Sequence, residues 1–201
     1  MTATAAPFGL RPIGRLGGGT VETRAYPILS SESTRICYGD VVKLTDAGAT
    51  TTIQKDTGTT TATPIGIFLG CQFIDLNSKQ LTFSQQWSGA ANTEGMAFVV
   101  DDPAALFAIQ ADATVNNDDL AANAALVQGA SSADLSISRV SLDISTAATT
   151  ATLPLRIVDW LGGYNGDEYG TAFPIMVCRF NAGHQLSLIA SGSTAAAPSA
   201  A

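Results

Sequence analysis

"PIGIFLGCQFID", residues Pro64–Asp75, decides the fold class. The stretch is strongly apolar and reads as a central, buried strand. Gly66 and Gly70 lie inside it, and glycine within a strand marks a bulge or a close approach of another backbone. The segments on either side read the same way. "KQLTFSQQW" (Lys79–Trp87) alternates, which puts Leu81, Phe83, Gln85 and Trp87 on one face. "GMAFVVDD" (Gly95–Asp102) is a further buried strand, and "GDVVKLTDAG" (Gly39–Gly48) is a strand running into a turn. "TVETRAYPILS" (Thr20–Ser30) starts with alternation and carries β-branched and aromatic residues. Thr50–Thr63 is rich in threonine and poor in large apolar groups, so an exposed hairpin or loop is expected there.

Further along, the pattern changes. Asp102 is a candidate N-cap with Pro103 at the first helical position, which predicts one or two helical turns before a strand through Ile109. "NNDDLAANAALV" (Asn116–Val127) supports at most a short helix. "ADLSISRVSLDIS" (Ala133–Ser145) alternates, with a change of buried face near Arg139 that needs a bulge. "TATLPLRIVDWL" (Thr150–Leu161) and "AFPIMVCRFN" (Ala172–Asn181) are the last strong strands, separated by the loop "GGYNGDEYG" (Gly162–Gly170). Many short strands without βαβ alternation imply a mainly β protein, a barrel or sandwich with one or two short helices.

Three parts follow: an extended N-terminal arm over 1–20, a β domain over 21–190, and a flexible low-complexity tail over 191–201. The arm, "APFGLRPIGRLGGG" (Ala5–Gly18), is broken by Pro7, Pro12 and glycines from Gly17 onward. It cannot stabilise itself, because proline removes a donor and glycine costs backbone entropy. Yet it carries Phe8, Leu10, Ile13 and Leu16, which gain by burial either on the domain or on a partner.

Charge narrows the function classes. Charged residues make up 13% of the chain, about half the usual share, and the net charge is −7. Residues 1–35 are slightly basic, with Arg11, Arg15, Arg24 and Arg35 against Glu22 and Glu32. The rest is acidic, which argues against nucleic acid as a partner, since phosphate contacts need Lys and Arg. Cys37, Cys71 and Cys178 lie far apart with no CxxC, so they read as reduced, buried small hydrophobes in a protein made in a cytoplasm. Neither a signal peptide nor a membrane-spanning run is expected.

A search for chemistry returns little. The single histidine, His184, reads as an exposed loop residue, and no nucleophile elbow surrounds a serine. "GRLGGG" (Gly14–Gly19) lacks the lysine–serine ending of a phosphate loop. Asp101–Asp102, Asp118–Asp119 and Asp167–Glu168 pair carboxylates, but adjacent strand residues point to opposite faces. Asn116, Asn117, Asp118 and Asp119 cluster the oxygens calcium takes, without EF-hand spacing. Trp160, Tyr164 and Tyr169 could form a sugar platform or an oligomer contact, while Trp87 reads as core. No catalytic residue, cofactor or metal is predicted.

"AAPFGLRPIGRLGGG", "GDVVKL", "IGIFLGCQFIDLNSKQLTFSQQW", "VVDDPAALFAIQAD" and "LPLRIVDW" together resemble the capsid decoration, or cement, proteins of tailed bacteriophages. The likeness covers most of residues 5–181. It implies a non-enzymatic virion protein on the outer capsid surface, made in the bacterial host cytoplasm, which binds the major capsid protein and staples capsomers. It implies a homotrimer, with a homodimer as the alternative, and a β-tulip-like or jelly-roll-like barrel, with length for an inserted β subdomain. Phe8, Leu10, Arg11, Pro12, Ile13 and Arg15 would contact the shell, by strand addition and by pairing arginine with coat carboxylates. A carbohydrate-binding or other accessory surface module is the alternative.

Overall fold

A computed structural model describes residues 4–46, 51–89, 92–130, 136–161 and 170–185. In chain order the strands of the first half are β1 (Arg11–Arg15), β2 (Arg24–Ile28), β3 (Ile36–Cys37), β4 (Val41–Asp46), β5 (Thr51–Lys55), β6 (Gly66–Asp75), β7 (Leu81–Ser84) and β8 (Gln86–Trp87). β9 (Asn92–Val100), β10 (Ala105–Gln110), β11 (Asn123–Val127), β12 (Ser141–Ala148), β13 (Leu155–Trp160) and β14 (Ile175–Phe180) follow. The protein is mainly β, built of antiparallel sheets in a sandwich-like arrangement.

One sheet has the order β1-β10-β14-β13-β11-β12. It curls until β12 meets the end of β10, where Ala111 bridges Leu142 and the Asp112 N–H donates to Leu142 O at 3.0 Å. The second sheet has the order β2-β9-β6-β4-β5, with β7 added to the outer half of β6. It curls too, bringing β5 beside β2. β3 and β8 form a small separate pair. Two apolar clusters form the core, one around Phe107, Leu126, Trp160 and Phe180, the other around Phe68, Phe73 and Trp87.

The central stretch is apolar without alternation because it is buried on both faces. Ile67 packs in the first cluster and its neighbour Phe68 in the second; Val41 and Val42, and Val100 and Val99, divide the same way. Both glycines have the roles expected of them. A Cβ on Gly66 would collide with the backbone carbonyl of Val100, and the β6–β9 register slips between Phe68 and Gly70, a bulge. Gly95 leaves room for the Trp87 ring, which a Cβ there would meet at 2.9 Å.

Several expectations are corrected. Residues 4–16 are not an extended arm. β1 pairs antiparallel with β10, Leu10 is fully buried, and the Leu10 N–H donates to Gly39 O at 3.0 Å. Gln110 holds the segment before it: the Ala6 N–H donates to its Oε1 at 2.8 Å, and its Nε2 donates to Thr4 O at 3.1 Å. The proline and glycine that bar self-stability do not bar pairing to a preformed strand edge. The Asp102–Pro103 helix is absent. Asp102 Oδ1 accepts the Ala104 N–H at 2.8 Å, so the cap chemistry closes a turn that enters β10 directly. Among the described residues the helical content is a single 3-10 turn, Asn117–Asp119.

Of the exposed hairpin or loop expected over Thr50–Thr63, the hairpin is present, since β5 pairs antiparallel with β4, but it is exposed only in part. β5 buries Thr52 and Ile53, and the loop after it is organised by the buried Asp56, which accepts the Gly58 and Thr63 N–H groups at 2.9 and 2.8 Å. Leu81 and Phe83 do not share a buried face with Trp87: the strand breaks at Gln85 between β7 and β8, and the phase changes there. The tail over 191–201 lies outside the described residues.

Candidate interaction surface

The junction between the sheets holds the acidic pair Asp101–Asp102. The Tyr26 hydroxyl donates to Asp101 Oδ2 at 2.7 Å, and the Arg24 guanidinium reaches the same oxygen at 3.3 Å. Gln185 Nε2 donates to Asp101 O at 3.2 Å, and Arg15 pairs with Asp102 at 2.8 Å. Partial burial, then the bond and charge of Asp101, push the Tyr26 hydroxyl up to about 12. Both carboxylates are occupied in tying β1, β2, β9 and β10 together, which leaves no free acid–base pair here. Asp119 is likewise occupied, accepting the Asn116 N–H at 2.7 Å, with Asp118 beside it in the 3-10 turn. Asp167 and Glu168 lie outside the described residues.

His184 is buried rather than exposed. Its Nδ1 lies 2.7 Å from Ala62 O and its Nε2 lies 2.9 Å from Thr152 O, so it joins the loop after β5 to the segment before β13. Lys55 and Asp40 form a buried ion pair at 3.0 Å, and Asp40 Oδ2 also accepts the Cys37 N–H at 2.8 Å. All three cysteines are buried thiols outside any disulfide. Burial pushes the Cys71 thiol up to about 12 and raises Cys178 as well. Among the described residues no group of three or more His, Cys, Asp or Glu side chains could hold a metal, and no helix is long and apolar enough to cross a membrane.

The aromatic platform loses its main member. Trp160 is buried among the first cluster, and Tyr164 and Tyr169 lie outside the described residues. Trp87 is core, as expected: its Nε1 donates to Glu32 O at 2.9 Å, and its ring meets Phe73 edge-on at 5.6 Å.

Among the described residues, two surfaces carry the most exposed apolar side chains. On β1, Arg11 lies 4.4 Å over the Phe8 ring, Pro12 is half-buried, Ile13 and the following Leu16 are 46% and 52% exposed, and Arg15 reaches Asp102. Of the six residues expected to meet a partner, Leu10 faces the core and the other five lie at or near the surface. The second surface is the outer face of the β6–β7 hairpin, where Leu81 and Phe83 are 59% and 67% exposed, flanked by Ile74 and Leu76. Sequence reasoning missed this surface, because alternation assigned Leu81 and Phe83 to the face of Trp87. The uninterrupted polar run Ser84–Gln85–Gln86 was the signal of the break.

No family model, curated protein or solved structure matches the chain.

Proposed function

We propose that the protein is a structural virion component that binds the outside of a tailed-phage capsid and staples neighbouring major-capsid-protein capsomers. The observation that carries this reading is the β1 edge. It displays Ile13, Leu16 and the Arg11–Phe8 stack on a strand already fixed by pairing to β10. A surface ordered in advance does not pay the entropy of folding on its target. Apolar groups beside arginine suit a coat surface that is apolar with acidic neighbours. The sequence likeness to decoration proteins supports the same reading, as does an acidic body whose buried carboxylates are occupied in structural contacts. Leu10 drops out of the contact set, leaving Phe8, Arg11, Pro12, Ile13 and Arg15, with Leu16 added.

Co-sedimentation with cognate expanded heads that lack the protein tests the proposal. Saturable binding is expected, with density at a fixed symmetry position on the outer shell by cryo-EM. An Ile13→Asp, Leu16→Asp double variant should lose it while keeping its melting transition. Wild-type protein that fails to bind such heads would discard the role.

A further inference from the structure

We infer that the protein pairs with a second copy of itself through the outer edge of β7, about a two-fold axis at Thr82. This does not rest on shell binding. β7 pairs with β6 on one side, and among the described residues no strand pairs with its other side. Such an edge offers a row of unpaired N–H and C=O groups, and folded proteins usually protect it with lysine, proline or a bulge. β7 has none of these: its four residues are Leu81, Thr82, Phe83 and Ser84.

Charge points to a second copy. The chain carries −7 overall, so two copies repel over most approaches. From Gln80 to Thr93 there is no charged residue, and β7 lies in that interval. This is the long uncharged stretch that also carries an open backbone edge.

The geometry is self-complementary. Paired residues on adjacent strands share a face, so Pro27, Met96, Gln72 and Phe83 form one row across β2, β9, β6 and β7, and Ile74 and Leu81 lie in the next. An antiparallel pairing about a two-fold axis normal to the sheet must centre on one residue, because each residue needs a partner on its own face. Centred on Thr82, it places each Phe83 beside the other copy's Leu81, making the same cross-strand apolar pair twice. Ile74, Leu76, Leu81 and Phe83 together expose roughly 400 Å², within the size range of patches that mark contact sites. A shallow groove of about 270 Å³ on this face, lined by Pro27, Gln72, Ile74, Leu81 and Met96 and carrying Glu94, lies beside it. Edge pairing extends the sheet and covers only the flanks of these side chains, so the area buried is well under the ~800 Å² per partner of a standard interface; the edge hydrogen bonds carry much of the contact, and a weak dimer with a dissociation constant of roughly 10–100 μM is expected.

Sedimentation of the full chain between about 1 and 100 μM tests this. The expected result is a reversible shift from 20.6 kDa toward twice that mass. Phe83→Lys should weaken the dimer about 100-fold, and Ile13→Lys should leave it unchanged. Thr82→Cys should cross-link the dimer on mild oxidation, because it alone meets its own copy at the axis, whereas Ser84→Cys should not. The native thiols are buried and do not compete. A monomer throughout that range would overturn the inference. So would a trimer, since pairing of one edge with itself closes in twos, or a dimer indifferent to Phe83→Lys. A monomer whose Phe83→Lys variant stops binding phage heads would assign the patch to the shell instead.

Discussion

β1 carries Pro12, a register slip between Pro12 and Gly14, and arginines at both ends, whereas β7 carries four uncharged residues in regular register with β6. Both are strands added to the side of a sheet that otherwise curls on itself, so among the described residues both leave an open backbone edge. The β1 edge has three of the devices that discourage another strand from pairing there: a missing donor, a bulge and charge. The β7 edge has none. β1 is therefore suited to contact through side chains, as in the proposed shell contact, and β7 to contact through backbone pairing, as in the proposed dimer. The contrast also shows that exposure of apolar residues alone does not define the kind of interface. Ile13 and Phe83 are both exposed, but only one sits on an unprotected edge.

The strongest way to break this comparison is Leu10→Ala. If β1 were a loose segment, truncation would cost nothing. With Leu10 fully buried, a loss of about 2–5 kcal/mol is expected in a urea melt. Arg15→Ala comes next. Its ion pair with Asp102 is half exposed on the arginine side, and Asp102 keeps the Ala104 N–H, so a loss of about 0.5–1 kcal/mol is expected by the same melt. On β7, Leu81→Lys should change stability by no more than about 0.5 kcal/mol, because the side chain is mostly in water. A larger loss would mean that the monomer itself needs the β7 face.

These sites also mark how far the sequence could be read. The class of fold was legible because period-two alternation and β-branched runs are local properties. Gly66 and Gly70 were legible as a close approach and a bulge, since glycine has few other uses inside a strand. Asp102 was legible as a capping residue, but not as the cap of a turn. Its side chain meets Ala104 in either case, and what decides is that Ala105, Phe107 and Ile109 are buried in strand spacing. The docking of Leu10 depends on the free edge of β10, nearly a hundred residues away, and no local pattern encodes that. His184 and Trp160 were misplaced for the same reason. Their neighbours in sequence are polar or loop-forming, while their neighbours in space are Ala62 and Thr152 for one and the first apolar cluster for the other. Of the candidate surface, the β1 residues were identified from composition; the β7 face was not, because a strand break at Gln85 reverses the phase that alternation assumes.

The smallest effect expected at neutral pH concerns the thiols, and it separates the two sheets by rate. Cys71 lies on β6 opposite Ser84 of β7, and its thiol donates to Gln86 O at 3.4 Å, so opening of the β7 hairpin uncovers it. Cys178 lies on β14 between Phe107 and Ile157, with paired strands on both sides. A chromogenic disulfide reagent at pH 8 should therefore label neither in the native protein on the minute scale, and Cys71 before Cys178 over hours. Raising the pH adds a second handle. The Cys71 thiol is pushed up from 9.0 to about 12 in the fold, so the folded state holds its proton more tightly than the unfolded chain does. The stability linked to it is complete below pH 9 and is lost as the pH rises toward 12. Tyr26, raised from 10.0 to about 12, contributes in the same direction from pH 10 upward. Melting temperature should thus be insensitive to these two groups up to pH 9 and fall above it, and Cys71→Ala should reduce the part of the fall that begins at pH 9. An unchanged slope in that variant would place the alkaline sensitivity elsewhere. Equal labelling rates for Cys71 and Cys178 would remove the distinction between a closed sheet and one with an added, unprotected strand.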